Sequence, residues 1–303
     1  MTVLARAWDS DVAYSFRRSP VAMVSALVLL ILLVGAMFSR WLAPYNPFDL
    51  ASLNLMDSLQ PPAFMPDGTA AHWLGTDDQG RDVLSGIMYG MKISVIVGVL
   101  SVLFAVAVGV AVGLLAGYAG GAIDSVLMRI ADVQLSFPAI LIALLVDGVV
   151  AAALPNGLHE QLAIYVLIFA IGISFWPQFA RTVRGSTMVE RGREYVMAAR
   201  VIGLSPARIM VTHILPNVMG PVLVIGTLTL GLAVLSEATL SFLGVGLPPT
   251  QPSVGTLIRI GNDFLFSGEW WITIFPGLSL VLMVLSINLL GDWLRDALNP
   301  RLR

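Results

Sequence analysis

Residues 181–217 read RTVRGSTMVERGREYVMAARVIGLSPARIMVTHILPN, and apolar runs flank them on both sides. A connector this long, basic and helix-compatible is uncommon between membrane helices, where most loops are short and long ones carry a task. Thr187–Ile202 holds Met, Ala, Glu and Arg and no Pro, a composition that predicts a helix. Gly203 is a natural C-terminal stop, and Ser205–Pro206 supplies an N-cap and a first-turn proline for a second start. The segment therefore reads helix, glycine break, helix, with Leu215–Pro216 leading into the next apolar run. Ala198, Ala199 and Gly203 lie about one turn apart and make a small-residue face. Tyr195, Val196 and Met197 add apolar surface, ringed by arginines. Such a knob suits either docking into a partner's groove or lying on anionic lipid, and periodicity alone leaves both open.

The rest of the chain sets this knob in a membrane. It is 57% hydrophobic and 12% charged, with mean hydropathy +0.86, a composition of membrane proteins and not of soluble domains. There is no cysteine, which excludes disulfides and thiolate metal sites. Five long uncharged runs, Val21–Phe38, Ile93–Gly117, Gln161–Ala180, Ile214–Ser236 and Trp270–Gly291, each reach the roughly 18 residues that cross a hydrocarbon core. A sixth span is expected over Leu127–Val150, with Pro138 inside it and Asp132 and Asp147 near its ends. The fold class is thus all-α and polytopic, with six transmembrane helices.

Six spans place both termini on one side. Arg6, Arg17, Arg18, Arg129, the six arginines of the knob, Arg295, Arg301 and Arg303 would share that side, thirteen basic residues against Arg40, Arg81, Lys92 and Arg259 opposite. The positive-inside rule then puts both termini and the knob in the cytosol. The first run is too long for a signal-peptide core and lacks a small-x-small site before Arg40, so it reads as an uncleaved anchor. The expected organisation is a cytosolic tail over 1–19, a membrane domain over 20–292 with an outer loop at 43–91 and the knob at 181–217, and a cytosolic tail over 293–303. Gly244–Glu269, containing LPPTQPSVG, reads as a second outer loop.

Gly109, Gly113 and Gly117 repeat every four residues and predict close approach of another helix. Asp77, Asp78, Arg81 and Asp82 cluster in the outer loop. They can brace an outer gate, contact a delivering protein, or form a local network capping the turn into the second span. No metal site is expected of them, since only His72 is near. Arg129 and Asp132, three apart, can pair at the interface. Glu237 is the acid most embedded in apolar sequence. It lies about 30 Å along its helix from Asn217 at ~1.5 Å per residue, toward the outer interface. Trp270–Trp271 reads as an interfacial anchor.

The knob resembles the signature of the integral membrane subunits of binding-protein-dependent ABC importers, written EAA, three residues, Gly, nine residues, Ile-x-Leu-Pro. Ala198–Ala199, Gly203 and Leu215–Pro216 match in register. Met197 stands where Glu is usual and His213 where Ile is usual. Gly75–Ser94 (GTDDQGRDVLSGIMYGMKIS), Ala238–Gly246 (ATLSFLGVG) and Leu290–Arg303 (LGDWLRDALNPRLR) resemble stretches of the dipeptide/oligopeptide branch, in subunits of the DppC/OppC type.

The resemblance implies a type I ABC importer transmembrane-domain fold in the bacterial inner membrane. It implies a homologous second permease subunit, two cytosolic ATP-binding subunits and an extracytoplasmic solute-binding protein as partners. Tyr195, Ala198, Ala199, Gly203, Leu215 and Pro216 would couple to the ATPases. The cargo would be di- or oligopeptides, or nickel chelates, glutathione or opines. No cofactor is expected on this chain. A phosphate-binding loop needs Gly-Lys-Ser/Thr, and the single lysine, Lys92, lies between Met91 and Ile93, so ATP and Mg would be bound by partners and the chain would not be catalytic. A self-contained transporter or channel would want polar groups at span midpoints or broken helices facing each other; only Asn288, Pro138 and Pro177 offer either, and none makes a relay. An intramembrane enzyme lacks HExxH and GxSxG motifs.

Overall fold

The structure, a computed structural model, describes residues 11–49, 54–155, 157–248, 251 and 253–298. The outer parts of both expected tails (1–10 and 299–303), and residues 249, 250 and 252 of the proline-rich segment, lie outside the described residues. Helix α1 (Asp11–Arg18) leads into α2 (Pro20–Met37), which starts where local chemistry dictates. Ser19 accepts the Ala22 amide at 3.3 Å, and Pro20 fills the first turn.

Helix α3 (Val83–Ala119) begins earlier than hydropathy suggests, so residues 83–91 of the expected outer loop are its first turns. The cap decides this start. Asp82 accepts the Ser85 amide at 2.8 Å, and a helix end needs a cap more than an apolar residue. Helices α4 (Gly121–Leu135) and α5 (Ala139–Ala153) replace the expected continuous span over Leu127–Val150 and meet at 95°. Pro138 is the reason, because it keeps the residue before it out of the helical region. Among the described residues, five helices are long and apolar enough to cross a membrane, or six if the bent pair counts as one crossing.

Helix α6 (Leu158–Glu190) runs ten residues past the expected end of its span. The helix expected over Thr187–Ile202 is therefore two pieces, the end of α6 and α7 (Glu194–Val201), parted at Gly192, where a glycine costs a helix about 1 kcal/mol relative to alanine. After Gly203 the chain is helical from Pro206 through a π turn (Ile209–Ile214) into α8 (Leu215–Phe242). Helix α9 (Val254–Asn262) lies inside the expected loop Gly244–Glu269, and α10 (Trp271–Leu298) closes the described chain.

The α3–α6 pair is the most extensive helix contact. The glycine repeat makes it. A Cβ added to Gly109 would stand 2.7 Å from the Trp176 carbonyl oxygen, one on Gly113 2.6 Å from that of Ala180, and one on Gly117 2.8 Å from that of Arg184. The backbones thus touch directly, as the four-residue spacing predicts. Phe175, Phe179, Val183 and Leu167 of α6 sit in the main apolar core with α3, α7 and α8. A second core joins α2, α3, α9 and α10. Helix α2 is the least enclosed of the long helices.

Candidate functional site

The knob is α7 with its two flanks. Ile202 ends α7 and Gly203 follows at φ +82°, a left-handed conformation that glycine adopts without strain. Gly203 N–H donates to the Arg200 carbonyl at 3.0 Å and Leu204 N–H to that of Ala199 at 3.1 Å. These two bonds make a Schellman cap. Ser205 then accepts the Arg208 amide at 3.4 Å, with Pro206 in the first turn. Pro216 lacks an amide hydrogen, and its ring crowds the carbonyl of Thr212, so the preceding turn widens to π. Asn217 Nδ2 donates to the His213 carbonyl at 2.7 Å and steadies that turn.

Tyr195 ties the three pieces together. Its hydroxyl donates to Glu190 Oε2 at 2.5 Å, at the end of α6, and accepts from Asn217 Nδ2 at 3.2 Å, at the start of α8. Burial, then the hydrogen bond and negative charge of Glu190, push the Tyr195 phenol above its usual pKa, so it stays a donor across the neutral range. Arginines fasten the assembly to α3. Arg191 Nη1 donates to the Tyr118 carbonyl at 2.8 Å, and Arg200 lies 5.1 Å from the centre of the Tyr118 ring. Arg184 holds Asp124 of α4 through two hydrogen bonds, the second 2.6 Å long.

The face that remains open differs from the one expected. Ala199 is buried with Val196, Ile209 and Ile214, while Ala198, Gly203 and Pro216 stay exposed and Leu215 is half-buried. The apolar tip is Val201 and Ile202, 87% and 74% exposed, next to Met197. Composition hid them. Two β-branched residues before a glycine read as ordinary helix end, and only the packing of Ala199 inward turns them out.

At the far end, the residues before α3 fold into a cap. Asp77 Oδ2 accepts Arg81 Nε at 2.6 Å, and its Oδ1 accepts the amides of Gln79 and Arg81, both at 2.9 Å. Asp82 caps α3 and stands 3.2 Å from His72 Nδ1 through its other oxygen. Asp77, Arg81 and Asp82 are buried, so of this cluster Asp78 alone offers an appreciable surface. The network is the local cap, and it is buried, not solvated. Burial and then the Asp77 carboxylate raise the Asp78 pKa against the pull of Arg81. Trp271, expected as an interfacial anchor, is buried instead and donates its indole N–H to the Thr76 carbonyl at 3.0 Å. Glu237 is fully buried on α8. It accepts Ser241 Oγ at 2.8 Å, with Ser94 of α3 and Ser253 before α9 beside it. The knob and cap residues therefore lie in separate places, joined by α3 and α8. Asp132 pairs with Arg181 at 3.7 Å and not with Arg129.

The family described as the binding-protein-dependent transport system inner membrane component matches residues 109–303. The chain belongs to that family. A second match, the N-terminal transmembrane domain of oligopeptide transport permease C, covers residues 7–62, which include α1 and α2 of the permease. The permease is 40% identical over 306 aligned residues to the dipeptide transport system permease protein DppC of Escherichia coli (strain K12), covering 100% of this chain and 95% of that one. It is also 40% identical over 292 residues to the glutathione transport system permease protein GsiD of Escherichia coli O6:K15:H31 (strain 536 / UPEC), covering 95% and 89%. It is a peptide-type ABC permease.

Two crystal forms of the MetNI methionine ABC transporter in inward-facing conformations share the fold. Their chains align with TM-scores of 0.51 and 0.52 at 18% and 23% identity, over 69% and 70% of the permease. The fold is that of an ABC importer transmembrane subunit, as the knob signature implies.

Proposed function

We propose that the permease forms half of the translocation pathway of an ATP-driven importer for di- or oligopeptides or a related small solute such as glutathione. The observation that carries this reading is the knob. It is a short helix fixed on three sides, with an apolar tip of Met197, Val201 and Ile202 left open beside Gly203. A surface helix held this firmly transmits a push; one that merely lies on lipid has no need of the Tyr195 bracket. The signature Ala198–Ala199, Gly203, Leu215–Pro216 supports the same role, with the tip seated in a groove of an ATP-binding subunit. The dipeptide and glutathione permeases at 40% identity support the cargo class.

In this reading the knob and both termini face the cytosol of a bacterial cell, consistent with the thirteen-to-four bias of basic residues. A homologous second permease completes the pathway. Two ATP-binding subunits hold ATP and Mg, and this chain is not catalytic. An extracytoplasmic binding protein delivers cargo to the cap end, where Asp78 is the most accessible member of its cluster, its side chain 32% exposed, and Glu237 braces α8 against α3 and α9. Closure of the ATPases displaces the knobs, and the helices shift between two arrangements biased at a distance.

Purification of the tagged permease from mild detergent tests this. A second permease and ATP-binding chains in fixed ratio, with ATP-dependent peptide uptake in liposomes, are expected. Recovery of the permease alone, moving solute without ATP, would refute it.

A further inference from the structure

Pro177 lies in the interior of α6, which stays one helix across it. It has no amide hydrogen, so the Ile173 carbonyl, four residues earlier, loses its helical donor. Gln134 of α4 fills the gap. Its Nε2 donates to the Ile173 carbonyl, and its Oε1 accepts the Trp176 indole N–H at 2.9 Å. The orientation of this amide is fixed, because an indole N–H only donates and a carbonyl only accepts. Both ends of one side chain are thus committed to α6. Gln134 is also the last residue but one of α4, at the edge of the 95° bend.

Helix α4 has little else to hold it there. It buries only Met128 and Ala131, while Ile123, Val126, Ile130 and Val133 are exposed. Polar links fasten it to α6 instead. Arg184 grips Asp124 near its start. Arg181 and Asp132 form an open pair, more than half exposed on both sides, which holds little. Gln134 is the link nearest the bend, and it is partly buried.

We infer that Gln134 is a positioning residue that makes the α4–α5 bend travel with α6 when the knob is displaced. The inference rests on the proposed coupling role of the knob. Helix α6 is continuous from Ile173 to Glu190, where Tyr195 ties it to the knob. A push on the knob therefore reaches the Pro177 turn, and the Gln134 amide hands it to the bend. Without that amide, α6 moves and the bend stays behind.

The absence of cysteine makes the test direct. In the whole complex, with partner cysteines blocked, spin labels are placed at Leu30 on the peripheral α2 and at either Met188 on α6 or Leu145 on α5, all exposed. ATP binding is expected to change both distances in the unsubstituted chain. With Gln134→Leu the Met188 distance still changes and the Leu145 distance does not, and uptake per ATP hydrolysed falls about tenfold, the shift that one unmade buried hydrogen bond can cause. Trp176→Phe removes the indole donor with part of the ring's volume and leaves the Gln134 amide on the Ile173 carbonyl, and it gives a partial loss of the same kind. Movement of both labels in Gln134→Leu, or unchanged uptake per ATP, overturns the inference. In the unsubstituted chain, a Met188 distance that responds to ATP beside a Leu145 distance that does not also overturns the inference, and failure of both distances to respond overturns the coupling reading itself.

Discussion

Gly203 offers a sharp test of why the knob has its shape. An added Cβ there would meet no atom within 4 Å, so neighbours impose no penalty. The whole cost of substitution is the φ of +82°. An alanine in that conformation costs about 1–2 kcal/mol, asparagine less, and a β-branched valine more. If the capped knob is the active form, a loss of 1–2 kcal/mol lowers its relative population by about five- to thirtyfold. The assay is ATP-dependent uptake and ATPase rate in liposomes containing the whole complex. Uptake per ATP is expected to fall in the order Gly, Asn, Ala, Val, with the complex still assembled. Steric exclusion from a partner's groove gives a different order, because alanine is smaller than asparagine. Gly203→Ala behaving as the unsubstituted chain while Gly203→Asn fails would refute the conformational argument.

Other expectations follow from single contacts. Gly113→Leu forces apart backbones already in contact, an overpacking of ~1–3 kcal/mol or more, and should lower the melting temperature and the yield of intact complex; an unchanged melting temperature contradicts the α3–α6 interface. Tyr195→Phe removes both hydroxyl bonds, worth about 1 kcal/mol each at most in this half-open place, and should reduce uptake per ATP several-fold without loss of assembly. Asp82→Ala removes the α3 cap, about 1 kcal/mol, and leaves Ser85 and His72 unmet, so proteolysis within 54–82 should quicken; Asp82→Asn should be milder. Asp78 has a raised pKa in the folded cap, so its ionised form is disfavoured there and its penalty is complete above that pKa. Asp78→Asn should raise the melting temperature at neutral pH. The gain should fade as pH falls below the raised pKa and vanish at the ordinary aspartate value of ~3.9; a gain that persists in acid would show the charge to be irrelevant.

Much of this was legible in the chain, for identifiable reasons. The glycine repeat of Gly109, Gly113 and Gly117 predicts a partner helix because a missing Cβ has one obvious use at that spacing. Gly203, Ser205 and Pro206 specify their cap and restart locally, with no help from the rest of the fold. What escaped depends on tertiary placement. Helix α9 follows a proline-rich stretch and starts only after its cap Ser253, and its Gly255 has no room for a Cβ against the Ala238 carbonyl. Trp271 faces inward because the cap folds over it, which no hydropathy plot records. Whether Ala199 or Val201 faces out depends on how α7 seats against Ile209 and Ile214. Pro138 announces an interruption but not the 95° angle.

The uninterrupted run from Pro206 to Phe242 has a mechanical meaning. At ~1.5 Å per residue it is a rod of about 55 Å, nearly twice the ~30 Å hydrocarbon core. One end carries the knob, and the other carries Glu237 and the α9 contact. A tilt of about 5° about its middle swings each end by about 2.4 Å in opposite directions, on the lengths just given. The π turn and Pro221 put the rod's compliance in its knob half, where a partner can be accommodated, and leave Val222–Phe242 as regular helix. A displacement smaller than the width of one atom at one surface then becomes an equal and opposite displacement at the other, with no signal passed from residue to residue.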